Sequence, residues 1–254
     1  MTQAERLVYL IDYLVNENNE LKAMRIPAEE TARKRLFRSL MNVRPPRAVS
    51  NEFLQVQDAY LQEESRRTGV IHLSDISSAV WQGDITRLAT DAIVNAANSA
   101  LLGCFIPCHG CIDNAIHSAA GIQLRLECSR IMQEQKTDEP IGKAKITKAY
   151  NLPCRYVIHT VGPIVRGPVT RRDCDLLSAC YRSCMELATE YSLKSIAFCC
   201  ISTGEFHFPN EKAAEIAIQT VRDYQKNNQD SPEVVFNVFK DSDYEIYKRL
   251  LGIY

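Results

Sequence analysis

The sequence predicts an α/β sandwich with a largely parallel central sheet and a helical N-terminal extension. From about residue 70 onward, short runs rich in β-branched and aromatic residues alternate with longer amphipathic runs, which is how strands joined by helices read. Before that point, residues 1–68 read as helical, with apolar stripes at helical spacing. A third observation leads from fold to function. The segments with unusual chemistry all follow predicted strands, and open α/β sheets bind ligands outside the carboxyl ends of their strands.

Taken in order, the extension begins with Leu7, Leu10, Ile11 and Leu14, the i, i+3, i+4, i+7 stripe of one buried helix face. A second helix over 28–41 places Leu36, Phe37, Leu40 and Met41 on one side, and Pro45-Pro46 breaks it. A third, over 50–66, starts at a Ser50 cap and carries Phe53, Leu54, Tyr60 and Leu61. No chemistry-bearing cluster appears here, so residues 1–68 read as a helical module packed on a second unit, 69–254. In that unit strands are predicted at 70–73, 92–95, 144–149, 155–161, 195–201 and 233–239. Helices are predicted at 112–133, 174–191, 210–227 and 242–251. No internal repeat or low-complexity segment interrupts the pattern.

A chain of 254 residues with 46% apolar and 24% charged residues has the make-up of an ordinary globular protein. Its formal net charge of −1 supplies no broad attraction for nucleic acid or anionic membrane, and neither partner is expected. No apolar run approaches the roughly 20 residues that span a bilayer, and no signal-peptide core is read at the start, so a cytoplasmic protein is expected. Ten cysteines point the same way. Several sit in apolar runs such as Ala197-Phe198-Cys199-Cys200-Ile201, where cysteine acts as a small buried hydrophobe in a reducing compartment.

The densest chemistry lies between Gly103 and Asn114. Cys104, Cys108, His109 and Cys111 fall within eight residues, just ahead of Asp113. Thiolate and imidazole are the ligands a borderline-soft ion such as zinc prefers. A loop that supplies three ligands and stops leaves a tetrahedral ion one open position, the mark of a catalytic rather than a structural zinc. Cys108 and His109 are neighbours, and adjacent residues rarely both reach one ion without bending the chain. Asp113 sits where a carboxylate also caps a helix. Farther on, Ser202-Thr203-Gly204-Glu205-Phe206 has the composition of a phosphate cradle, with small residues, a permissive glycine and a helix start beyond it. With no Arg or Lys cluster nearby, backbone N–H groups would have to hold a diphosphate. His117 reads as an interior, hydrogen-bonded histidine and His159 as structural. Trp81 reads as core, and His207 as either loop packing or a substrate contact.

Five segments, in this order, resemble the macrodomain family of ADP-ribose-binding modules: Gly83-Asp84-Ile85-Thr86, Ala92-Ile93-Val94-Asn95-Ala96-Ala97-Asn98-Ser99, Ile116-His117-Ser118-Ala119-Ala120-Gly121, Val157-Ile158-His159-Thr160-Val161-Gly162-Pro163 and Ser202-Thr203-Gly204. Cysteines and a histidine replace the glycine run found in many members, and this is similar to the zinc-dependent subgroup, which also carries a helical extension. The stretches 38–46 and 53–58 resemble that extension.

The resemblance implies a three-layer α/β/α fold with a mixed, largely parallel sheet. It also implies a zinc-dependent hydrolase that removes mono-ADP-ribose from modified protein side chains, with Cys104, His109 and Cys111 as zinc ligands. Asp84 is expected at the adenine amino group with the Ile85 amide beside it, and Phe239 stacking on adenine. Asn98 is expected at the distal ribose, and Ser202, Thr203, Gly204, Glu205 and Phe206 around the diphosphate and that ribose. Asp113, with Asn98, would be catalytic. The resemblance to the zinc-dependent subgroup further implies an ADP-ribosylated protein partner, such as a lipoyl-carrier protein. The competing expectations are a reader that binds ADP-ribose around a structural zinc, and a hydrolase of small ADP-ribose esters.

Overall fold

The computed structural model describes residues 1–253. Three helices come first. α1, Gln3–Asn16, starts in a capping box in which Thr2 and Glu5 satisfy each other's exposed amides. α2, Glu30–Val43, stops ahead of Pro45-Pro46, and α3, Asn51–Thr68, is capped by Ser50. Their apolar stripes meet in one cluster that includes Leu7, Leu10, Ile11, Phe37, Phe53 and Tyr60. Ile122, from the larger unit, joins that cluster and ties the two together.

The main sheet has six strands in the order β2-β8-β7-β4-β6-β5. They are β2 (Val80–Gln82), β4 (Ala92–Ala96), β5 (Ala144–Lys148), β6 (Tyr156–Thr160), β7 (Ser195–Phe198) and β8 (Glu233–Val238). All neighbours pair in parallel except β5, which runs antiparallel to β6 at the edge. β7 is buried along its whole length, and β4 and β8 nearly so, which explains their near-continuous apolar runs. Helices cover both faces. On β6, His159 points to Cys128 of α5 (Ile122–Gln135), while its neighbour Thr160 lies beside Cys180 of α6 (Arg171–Glu190). α4 (Ile112–Ala120) packs on β4, and α7 (Asn210–Asn227) on α6. α8 (Asp241–Leu251) packs on β2 and β8. The result is the three-layer mixed sandwich.

Three expectations need correction. The run at 70–73 is outside the main sheet: β1 (Ile71–His72) pairs only with β3 (Leu88–Ala89) in a small ribbon. The true edge strand β2 is three residues long, too short to show a period. The helix expected over 112–133 is two helices broken at Gly121, whose φ of +93° suits glycine and whose added Cβ would lie 2.6 Å from Gln57 Nε2. Apolar spacing runs straight through this break, so period alone could not reveal it.

Candidate active site

Parallel pairing sends the exits of β2, β4, β6, β7 and β8 to one edge of the sheet. After β2, Asp84 starts a short turn in which its Oδ1 accepts from the Thr86 amide (3.0 Å) and hydroxyl (2.7 Å). Gly83 is locked to neighbouring β8 by its amide to the Val238 carbonyl and by Asn237 Nδ2 to its own carbonyl, both 2.9 Å. Phe239, the next residue after β8, is 76% exposed beside this turn. Ile85 is buried beneath it, and the half-buried Trp81 ring lies against Gly83 and packs on the core.

β4 and β6 are in register at Asn95 and His159, and these side chains meet at 3.1 Å. Asn95 Nδ2 also donates to Asp113 Oδ1 at 2.8 Å. Asn98, just past β4, donates to Asp113 Oδ2 at 3.3 Å and to the Gly103 carbonyl at 3.1 Å. Asp113 thus sits in the first turn of α4, 5% exposed, with a different amide on each oxygen. Burial pushes its carboxyl up to about 6, against the opposing pull of Asn95 and Arg125. His117 follows one helical turn later, its Nε2 3.5 Å from Asp113 Oδ1. Burial holds that imidazole neutral, and Gly103, at φ +77°, lies so close over the ring that a Cβ there would come within 2.8 Å.

Between Asn98 and Asp113 the chain makes the Cys/His loop. The donor atoms of Cys104, His109 and Cys111 all lie within 4.8 Å of one another, with Cys104 Sγ 3.7 Å from His109 Nδ1. Burial, together with the nearby Cys104, pushes the Cys111 thiol up to about 12. Two soft sulfurs and an imidazole converging at this spacing fit zinc. Cys108 is turned away: its φ is +51°, and its Sγ donates to the Arg35 carbonyl of α2 at 3.3 Å. That bend resolves the problem of adjacent residues, since His109 faces the trio while Cys108 faces the extension. The other ring nitrogen of His109 is 3.7 Å from Glu205 Oε1, so the loop after β7 reaches the loop after β4.

The β7 loop is fixed at both ends. Thr203 Oγ1 donates to the Cys200 carbonyl (3.0 Å), the Phe208 amide to the Ser202 carbonyl (2.9 Å), and the Val165 amide to the Phe206 carbonyl (2.9 Å). Phe208 is buried as an anchor, whereas Gly204 and Glu205 are exposed and Thr203 and Phe206 half-buried.

Residues 94–217 match the Macro domain family. A protein-ADP-ribose hydrolase of Treponema medium is 55% identical over 261 residues, covering 99% of this chain and 100% of that relative. This chain belongs to the macro domain family. Another protein-ADP-ribose hydrolase, from Staphylococcus aureus strain MSSA476, is 49% identical over 253 residues, 96% of this macrodomain chain and 94% of the relative. Among solved structures, an Oceanobacillus iheyensis macrodomain with ADP is similar at TM-score 0.63 and 39% identity, over 68% of this chain and 88% of that one. A Trypanosoma brucei macrodomain in complex with ADP-ribose is similar at TM-score 0.65 and 30% identity, over 85% and 95%.

Within this macrodomain the predicted residues fall into two groups along one sheet edge. Asp84, Ile85 and Phe239 lie at the β2/β8 end. Asn98, Asp113, the Cys/His trio and the 203–206 loop gather at the β4/β7 exits. Three details differ from expectation. Ser202 is buried at φ +66°, its hydroxyl without a hydrogen-bond partner and turned against Gly162, so its side chain is not presented at the loop surface. α7 begins at Asn210, after Pro209, and so the 202–206 turn is separate from that helix start. His117 is interior, but both its ring nitrogens lack hydrogen-bond partners. His207 is exposed. Sequence reasoning quoted Asn95, Arg38, Asn42 and Asn114 within its motifs without giving any of them a role, and it passed over Arg125. The outward signal for Asn95 was a polar residue inside an apolar strand. A second trio of donors, His117, Cys128 and His159, lies in the core. His159 is already engaged there by Asn95 and by Thr147 Oγ1 at 3.0 Å, which makes this trio core packing.

Proposed function

We propose that this macrodomain is a zinc-dependent hydrolase that removes mono-ADP-ribose from modified protein side chains. Both named relatives, matched over nearly their whole length, are protein-ADP-ribose hydrolases. The observation that carries the finer reading is the convergence of Cys104, His109 and Cys111 within 4.8 Å, in the loop that links Asn98 to Asp113.

In this reading Asp84 accepts from the adenine amino group with the oxygen that Thr86 leaves over, the Ile85 amide lies beside it, and exposed Phe239 stacks on the base. Backbone amides of 203–206 wrap the diphosphate, and Asn98 holds the distal ribose. Cys104, His109 and Cys111 hold zinc, which when bound supplies Lewis acidity at that end of the cleft. Asp113, its two oxygens fixed by Asn95 and Asn98, takes a proton from the attacking water. The water oxygen bonds to ribose C1″, the bond from C1″ to the acceptor side chain breaks, and the proton passes on to the departing side chain. Either an N- or an O-glycosidic linkage obeys that balance. Ten free cysteines fit a reducing, cytoplasmic setting, and an ADP-ribosylated lipoyl-carrier protein is the first substrate to try. The test is release of free ADP-ribose from proteins modified at different side-chain types. Binding without release would leave only a reader.

A further inference from the structure

We infer that the helical extension is part of the metal centre: Arg38 and Asn42 of α2 are positioning residues that hold the Cys104–Cys111 loop in the conformation that brings its three donors together. The inference rests on the zinc reading above.

The loop has little to hold it from within. It contains no helix or strand, Phe105 and Ile106 are exposed, and its one internal backbone hydrogen bond runs from the His109 amide to the Ile106 carbonyl at 3.2 Å. Cys108 adopts the left-handed region, which a non-glycine residue keeps only when its surroundings impose it. The surroundings that impose it belong to α2. Arg38 and Asn42 are four residues apart and therefore share a helix face. Asn42 Oδ1 accepts from the Cys108 amide at 2.9 Å, and Arg38 Nη2 donates to the His109 carbonyl at 3.1 Å. The Cys108-His109 pair is thus held at both ends, by the amide that enters Cys108 and the carbonyl that leaves His109, and that grip turns Cys108 toward α2 and His109 toward Cys104.

The same face reaches α4, which the last ligand, Cys111, caps and which carries Asp113 in its first turn. Arg38 donates through Nε (3.0 Å) and Nη2 (2.7 Å) to Asn114 Oδ1, and Asn114 Nδ2 donates to the Ile106 carbonyl at 3.0 Å. Asn42 Nδ2 donates to Ser118 Oγ at 3.0 Å. Buried Arg125 of α5 closes the frame by donating to the carbonyls of Met41, Asn42 and Arg44 at the end of α2, and to the Leu102 carbonyl at the loop entrance. Those α2 carbonyls would otherwise be unpaired at a helix end. Groups that orient metal ligands from behind typically change affinity 10–100-fold when removed.

The test compares zinc affinity, by competition with a chromophoric chelator, and the cobalt-substituted absorption spectrum across full-length variants. Arg38→Ala and Asn42→Ala should each lose about 10–100-fold in zinc affinity and alter the cobalt spectrum, with Arg38→Lys, which lacks the planar fork, failing to restore either. Lys34→Ala, which breaks ion pairs to Glu30 and Glu64 inside the extension, should match wild type. Wild-type affinity in both alanine variants would overturn the inference and leave the zinc reading standing. Equal loss in Lys34→Ala would overturn it too, because the effect would then come from the extension as a whole. A wild-type protein that binds no zinc would sink both the inference and the reading beneath it.

Discussion

Replacing Asp113 with Asn separates the chemistry from the fold. The carboxylate accepts from Asn95 on one oxygen and from Asn98 on the other. An amide in its place keeps one of these bonds and turns an NH2 group on the other donor, which costs about 1 kcal/mol. Removing a buried charge, in a site whose burial already disfavours the ionised form, offsets much of that cost. The expected change in melting temperature is therefore no more than about 2–4 °C. The three metal donors are untouched, so zinc content should hold. Loss of a positioned base should lower the rate about 10²–10⁴-fold, or roughly 3–5 kcal/mol of activation free energy. The assay is single-turnover release of ADP-ribose from a modified protein at saturating enzyme. A zinc-loaded, folded Asp113→Asn enzyme within about threefold of wild type would show that Asp113 is only a helix-start residue and that the base lies elsewhere.

Phe239→Ala should weaken ADP-ribose binding by about ten-fold, a stacking contribution near the low end for an aromatic on a base, without changing the stability of the free protein, because the ring is 76% exposed; unchanged affinity by calorimetry would remove Phe239 from the adenine site. Gly121→Ala should lower stability by about 1–3 kcal/mol, since φ is +93° and the new Cβ would lie 2.6 Å from Gln57 Nε2; an unaltered urea midpoint would mean that the α4–α5 break relaxes freely. His159 is buried and pushed down to about 3, so the folded form stays neutral while the unfolded chain takes a proton below pH about 6.5. Stability is therefore undiminished above that pH and falls as pH drops toward 3, by a factor of ten in the folding equilibrium per pH unit from this group alone. Denaturant titrations at pH 6 and pH 4 should show a shallower pH dependence in His159→Gln, and equal slopes would place the pH sensitivity in other groups.

Much of the sandwich was legible because strands such as Val157-Ile158-His159-Thr160 are buried on both faces and read as apolar runs. The site loops were legible because each follows such a strand, and the Cys/His loop because three cysteines and a histidine lie so close in sequence. What stayed hidden depends on three-dimensional neighbours. Asn95 reaches Asp113 only because β4 delivers it beneath the start of α4, and it meets His159 only through strand register. Arg38 meets His109, 71 residues away, through the docking of α2, and apolar spacing in α2 fixes its buried stripe but not which polar residues flank a partner. β2 has no readable bounds because three residues at a sheet edge carry no period, and the break at Gly121 none because φ is not written in hydrophobicity.

The most direct measurement loads purified full-length protein, counts its zinc, and follows ADP-ribose release before chelation, after chelation and after zinc is restored. Near one zinc per chain, loss of release on chelation and its return with zinc are the predicted results. Full release from a metal-free protein would contradict the account and leave Asp113 and the ribose-binding loops to perform the reaction alone.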